Sequence, residues 1–111
     1  KSQGVTVVDF FATWCGPCKA EEGNVAALAR DHAVVAIASQ SGGEAVVRAY
    51  LDQHGLAHVP VALDPSGDLA SAWGVSAFPA TFYLDGDGDI ATAEVGYTSE
   101  LGMRVRAFFA R

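Results

Sequence analysis

Residues 12–19 read "ATWCGPCK" and hold the chain's two cysteines, Cys15 and Cys18, separated by Gly16 and Pro17. Two sulfurs at this spacing can be a structural staple, half of a metal site, or a reversible electron carrier. A disulfide between residues i and i+3 closes a very small loop and removes little unfolded-state entropy, so it makes a poor staple. A structural zinc site needs four ligands. His32, His54 and His58 supply no matching pair, because His54 and His58 straddle an expected helix end at Gly55. The flanking segments favour the third use. "VTVVDFF" (5–11) is a short, β-branched apolar run without alternation, which predicts a strand buried on both faces. "CKAEEGNVAALARDH" (18–32) places Val25, Leu28 and Ala29 at helical spacing. The cysteine pair therefore sits where a buried strand passes into a helix. The first helical turn has free N–H groups and a partial positive charge, and both favour a thiolate. Cys15 falls at that N-terminus and Cys18 about one turn further in. Cys15 is expected to be the more acidic and more exposed thiol, hence the attacking nucleophile, with Cys18 resolving the mixed disulfide from within. Pro17 suits a first turn, where its missing N–H costs nothing.

The remaining pattern alternates strand and helix. "AVVAIAS" (33–39) predicts a second buried strand. "SGGE" (41–44) reads as a capping box, with Ser41 as N-cap and Glu44 at the third helical position. The helix "EAVVRAYLDQH" follows, with Gly55 as its stop. "VPVALD" (59–64) is a third strand, and "PSGDLASAWG" carries a turn and a short helix. "ATFYLD" and "IATAEVGY" form two strands joined by the turn-rich "GDGD". "SELGMRVRAFFA" closes the chain as a helix with Leu101, Val105 and Phe108 on one face. The order β-α-β-α-β-α-β-β-α implies parallel strands with helical crossovers and a late antiparallel hairpin. With 111 residues, half of them hydrophobic, residues 1–111 are expected to form one domain with a sizeable core. No run of about twenty apolar residues occurs, so no membrane span is expected. The opening "KSQGVTVVDFF" enters a strand almost at once and shows no signal peptide, which reads as a mature or excised domain whose export signal or anchor is out of view. A net charge of −6, with seven Lys and Arg scattered along the chain, argues against a nucleic-acid groove or a polybasic membrane patch.

Two separated segments carry a family resemblance. "VVDFFATWCGPCKAE" (7–21) resembles the active-site segment of the thioredoxin superfamily, including the Trp before the first Cys. "WGVSAFPATFYLDGDG" (73–88) resembles the segment in which that fold sets a cis-proline against its CxxC, with Pro79 in that position and Phe78 before it. The resemblance covers essentially the whole chain and implies an α/β thioredoxin fold, a central mixed sheet flanked by helices. Residues 40–75 add a helix and an "LDPSG" turn between the CxxC unit and the cis-proline hairpin. That insertion is similar to TlpA/ResA/DsbE-like thiol–disulfide oxidoreductases. "CKAEEGNVAALA", "AIASQSG" and "EVGYTSELGMRVRAFFA" most resemble the ScsD-type (suppressor of copper sensitivity) group.

This resemblance implies an extracytoplasmic, periplasmic protein tethered to the inner membrane by a segment outside this chain. It also implies protein thiol or disulfide substrates, a membrane electron donor of DsbD/ScsB type, and no metal or organic cofactor. Trp14, Gly16, Pro17, Phe78 and Pro79 would form the substrate-binding surface. Asp9 matches the buried acid that helps move the proton of the second Cys in thioredoxins, and Glu21 matches a glutamate tied to acid–base behaviour in TlpA-like proteins. Independently, a lone carboxylate in the apolar run around Asp9 is costly unless satisfied or protonated, and Glu21 lies one turn beyond Cys18. Three departures stand out: Gly23 replaces a common proline, Asp9 stands where TlpA-like chains often have Asn, and Phe78 is bulkier than usual. The physiological direction stays open between a reductant, toward which Gly-Pro leans, and a disulfide donor. A third possibility is a non-catalytic binding module in copper handling. Asp85, Asp87 and Asp89 begin like an EF-hand loop, but Ile90 and Gly96 stand where that loop needs Gly and Glu, so the segment reads as a solvated hairpin turn.

Overall fold

The computed structural model describes residues 4–111. The elements are β1 (Thr6–Phe11), α1 (Gly16–Leu28), β2 (Ala33–Ser39), α2 (Glu44–Gln53), β3 (Val61–Asp64), α3 (Asp68–Ala72), β4 (Ala80–Leu84), β5 (Ile90–Val95) and α4 (Glu100–Phe109). They form one five-stranded sheet in the order β3-β2-β1-β4-β5. β1–β2 and β2–β3 are parallel, while β1–β4 and β4–β5 are antiparallel. This is the expected mixed sheet, with β1 at its centre.

β1 lacks alternation because both its faces are covered. Val7 and Phe11 join a core with Val25 and Leu28 of α1, Val47 and Leu51 of α2, and Met103 and Ala107 of α4. Val8 and Phe10 point the other way, into a smaller core with Ala70 and Trp73 at α3 and Phe82 of β4. There Phe10, Trp73 and Phe82 pack as a tilted and edge-on triad with centroids 5.0–5.7 Å apart. Three helices thus cover one face and α3 covers the other. Asp9 shares the three-helix face with Val7 and Phe11, beneath α1.

The inserted helix α2 differs from expectation at its start. Gly43 is the N-cap and Glu44 the first helical residue, so the capping box does not form. Ser41 is occupied elsewhere: its hydroxyl donates to the Ser39 carbonyl at 2.9 Å and accepts from the Thr13 N–H at 3.0 Å. That bond ties the inserted segment to the loop just before Cys15. The helix ends as expected, with Gly55 at φ 72° and the Leu56 N–H closing onto the Leu51 carbonyl.

α4 also departs from the sequence reading. Leu101, Val105 and Phe108 do lie on one stripe, but that stripe is exposed, and Met103 and Ala107 face the core instead. The pattern contains two apolar stripes offset in phase, and periodicity cannot choose between them. Small Ala107 and Ala110 let the helix approach closely, and the larger side chains are left outside.

Buried Asp64 organises the "LDPSG" turn. Its carboxylate accepts from the Ser39 hydroxyl at 2.7 Å and from the Leu69 and Ala70 N–H groups at 3.0 Å each, so it caps α3 from outside the helix. Burial pushes its pKa up, but these hydrogen bonds and one from the Gly67 N–H outweigh it and hold the carboxyl below its usual value. Asp64→Ala is expected to cost about 2 kcal/mol, because it strands two helix N–H groups and a buried hydroxyl. Urea denaturation at neutral pH measures this, and Asp64→Asn should lose less.

Candidate active site

Cys15 is the N-cap of α1, with φ −92° and ψ 117°. Its sulfur accepts a hydrogen bond from the Cys18 N–H at 3.1 Å. Cys15 and Cys18 are joined as a disulfide with Cα atoms 5.2 Å apart. The strand-to-helix junction therefore sets the Cys18 N–H and the positive end of the helix dipole against the Cys15 sulfur, an arrangement that favours a thiolate on reduction. Gly16 and Pro17, the first two helical residues, are exposed beside the sulfur.

One expectation is corrected. Cys15 and Cys18 are almost equally buried, at 6% and 5% exposure. The Phe78 carbonyl oxygen lies 3.4 Å from the Cys15 sulfur and covers it. The two sulfurs differ instead in their surroundings: Cys15 meets the helix N-terminus, while Cys18 faces the interior acids.

The second sequence motif arrives from across the fold. The Phe78–Pro79 peptide is cis, and Pro79 is fully buried. The Pro79 carbonyl accepts from the Gly96 N–H at 2.8 Å, which secures this loop to β5. Trp14 is 59% exposed. Its indole N–H donates to the Gln40 carbonyl at 3.0 Å, and its ring meets Phe78 edge-on with centroids 5.9 Å apart. Trp14 and Phe78 thus form an aromatic rim beside the disulfide. The sequence offered no sign of Gln40, a non-glycine residue at φ 52° whose carbonyl orients the tryptophan.

Beneath the disulfide lie the acids. Asp9 is 5% exposed and accepts from the Thr81 hydroxyl at 3.2 Å. Desolvation, then the charges of Glu21 and Glu94, push its carboxyl well above the usual range, and the Thr81 bond only partly offsets them. Asp9, Cys18 and Glu22 share the wall of a cavity of about 20 Å³ with Val25, Leu51 and Val59. That is room for one water molecule. Glu21 is 1% exposed. One of its oxygens accepts from the Thr98 N–H at 2.8 Å, and the other has no hydrogen-bond partner among the described residues. Burial lifts its pKa to about 7, against the lowering effect of the Thr98 bond. The structure thus brings Asp9, Glu21 and Cys18 into one buried neighbourhood.

Glu22 was missed by the sequence reading. It accepts from the Tyr50 hydroxyl and lies 2.9 Å from His54 Nδ1, while the Tyr50 and His54 rings stack with centroids 3.9 Å apart. This cluster locks α2 to α1 at the cavity's edge. Asp85, Asp87 and Asp89 draw their carboxylates close together, but at the far end of the β4–β5 hairpin from Pro79. There Asp85 accepts from the N–H groups of residues 87 and 89 as a turn former. Among the described residues, no helix is long and apolar enough to cross a membrane.

Comparison with known proteins agrees with this geometry. The Redoxin family model matches residues 2–106. A thioredoxin-like protein of Haemophilus influenzae is 36% identical over 95% of this chain and 62% of its own length. The thiol:disulfide interchange protein DsbE homolog of Paracoccus denitrificans is 35% identical over 86% of this chain and 53% of its own. The chain therefore spans about half to three-fifths of the length of these relatives. A crystal structure of a thiol:disulfide interchange protein of the thioredoxin family from Chlorobium tepidum superposes with a TM-score of 0.78. It covers 97% of this chain and 80% of that one, at 26% identity. With its sheet order, its cysteine pair at the start of α1 and these relatives together, the chain belongs to the Redoxin family and has the thioredoxin fold of the TlpA/ResA/DsbE-like proteins.

Proposed function

We propose that this chain, acting as a single domain over residues 1–111, is a thiol–disulfide oxidoreductase that reduces disulfides in partner proteins. The observation that carries the reading is the seating of Cys15 as the N-cap of α1, opposite the Phe78–Pro79 loop. In the reduced protein the Cys15 thiolate attacks a partner disulfide. One Cys15–partner bond forms, the partner's S–S bond breaks, and the partner's first sulfur leaves as a thiolate. The Cys18 thiol then gives up its proton and displaces the second partner sulfur. The partner leaves as a dithiol, carrying the two electrons that the Cys15 and Cys18 thiols have lost. A separate thiol donor, of DsbD/ScsB type in our reading, must then reduce the Cys15–Cys18 disulfide. Asp9 and Glu21 serve as the proton acceptors for Cys18. Trp14, Gly16, Pro17, Phe78 and Pro79 receive the partner polypeptide.

The buried acids support the reductant direction. Negative charge beside Cys18 destabilises its thiolate, and a protein whose reduced form is not stabilised is a reductant and not an oxidant. The family resemblance further supports an extracytoplasmic, periplasmic location and a membrane tether outside this chain. The ScsD-type placement rests on the sequence segments at residues 18–29, 36–42 and 94–110.

Titration of the Cys15–Cys18 pair in a thiol redox buffer, read by Trp14 fluorescence, tests this. A reversible two-electron transition at or below about −250 mV is expected, in the thioredoxin range. A value near about −120 mV would make the protein a disulfide donor. No reversible transition would return the cysteines to a structural role.

A further inference from the structure

Asp9, Thr81 and Glu94 occupy one row across the sheet. Asp9 of β1 pairs with Thr81 of β4, and Thr81 pairs with Glu94 of β5. All three therefore project from the same face, the one covered by α1 and α4, at two strand spacings or about 10 Å from end to end. The inner members are bonded, Thr81 to Asp9 at 3.2 Å. The outer member is fixed on both oxygens. The fully buried Tyr83 hydroxyl donates to Glu94 Oε2 at 2.7 Å, and Arg106 Nε of α4 donates to Glu94 Oε1 at 2.6 Å. Glu94 is mostly covered, with a side chain 12% exposed, whereas the Arg106 side chain is 42% exposed. Arg106 is further braced by donating to the Gly102 carbonyl.

Among the described residues, the charged and titratable groups facing this row come from β1, α1, β4, β5 and α4. They are Asp9 of β1, Cys18 and Glu21 of α1, Tyr83 of β4, Glu94 of β5 and Arg106 of α4, with Glu22 at the rim engaged by Tyr50 and His54 of α2. Three carboxylates and one guanidinium share this face, and the guanidinium is bonded to the outermost carboxylate.

We propose that Glu94 and Arg106 are positioning residues for the exchange reaction, a charge pair at the sheet's edge that acts on Cys18 through the Asp9–Glu21 neighbourhood by setting the field in which its proton moves. This deepens the oxidoreductase reading and rests on it. The Glu94 charge favours the protonated forms of both Asp9 and Glu21, and Arg106, bonded to it, opposes that influence. The pair is a specific electrostatic device and not only a clamp between β5 and α4, so removing either charge alone must move the acids in opposite senses.

The test is a charge cycle of Glu94→Gln, Arg106→Gln and the double variant. The amide oxygen introduced by Glu94→Gln can still accept from the Tyr83 hydroxyl, which preserves the fold. The first readout is carboxyl ¹³C NMR titration of Asp9 and Glu21 in the oxidised proteins. The second is the pH profile of the two-phase reaction of the reduced proteins with dithiodipyridine, whose second phase reports displacement by Cys18. Glu94→Gln is expected to move both midpoints down by about half a pH unit, Arg106→Gln to move them up by a similar amount, and the double variant to return close to wild type. Shifts of the same sign in both single variants, or superimposable profiles in all four proteins, would overturn the proposal. So would NMR shifts of opposite sign with an unmoved second phase. Absence of any two-phase exchange in the wild type is a separate result. It would overturn the oxidoreductase reading before any variant is compared.

Discussion

Replacing Cys15 by serine is expected to lower disulfide exchange by about a thousandfold or more, to the uncatalysed background. The reason is chemical. The attacking species is a thiolate, a serine hydroxyl does not ionise near neutral pH, and the other sulfur of the pair, Cys18, lies inside the first turn beside the buried acids and not at the N-cap. The variant should fold, because the Cys15 sulfur accepts from the Cys18 N–H as an N-cap and serine is a favoured N-cap residue. Cys18→Ser should behave differently. Its Cys15 can still attack, but nothing displaces the partner, so the product is a stable mixed disulfide of chain and partner. Mass spectrometry of non-reduced samples distinguishes the two: an adduct with Cys18→Ser, none with Cys15→Ser. A Cys15→Ser protein that kept its effect on a partner would point to a binding module in copper handling, with the redox pair incidental.

The features read correctly from sequence are those set by local chemistry. A buried strand, a CxxC and a helix follow one another within residues 6–28. Each is recognisable from period, composition and capping position. The cis-proline segment was found by its own short pattern. What escaped depends on contacts between distant segments. Ser41 looked like a helix cap, but Thr13, twenty-eight residues earlier, competes for its hydroxyl. The outward phase of α4 follows from its fit against α1 and the sheet. Glu21 and Glu22 are adjacent and chemically alike in the sequence. In the fold Glu21 is sealed beneath Thr98, and Glu22 is held by Tyr50 and His54. The alignment of Glu94 with Asp9 was invisible because it exists only through the register of three strands. The burial of Asp9 was legible for the opposite reason, since a carboxylate inside an apolar strand is conspicuous without any knowledge of its neighbours.

The two buried acids should trade stability for turnover, and substitution should expose both sides. Asp9→Asn combined with Glu21→Gln is expected to slow the second, Cys18-dependent phase by about a hundredfold at pH 7, the loss typical of a positioned proton acceptor. The first phase, attack by Cys15, should change much less. Stability should move the other way. Glu21 has a folded-state pKa of about 7, above its ordinary 4.5, chiefly because it is buried. The folded protein therefore binds this proton more tightly than the unfolded chain, and stability falls as pH rises from about 4.5 through 7, with the full penalty present above that. Asp9 is raised for the same leading reason and adds to the fall. Glu21→Gln removes its share. The oxidised variant should match wild type near pH 4.5 and exceed it by about 2 kcal/mol at pH 8 in urea denaturation. Equal stabilities at both pH values would show that Glu21 carries no such penalty. A variant less stable at pH 8 would mean that its ionised carboxylate supports the fold through the Thr98 N–H. A loss confined to the second phase, together with a gain in alkaline stability, identifies a proton acceptor maintained at the expense of the fold.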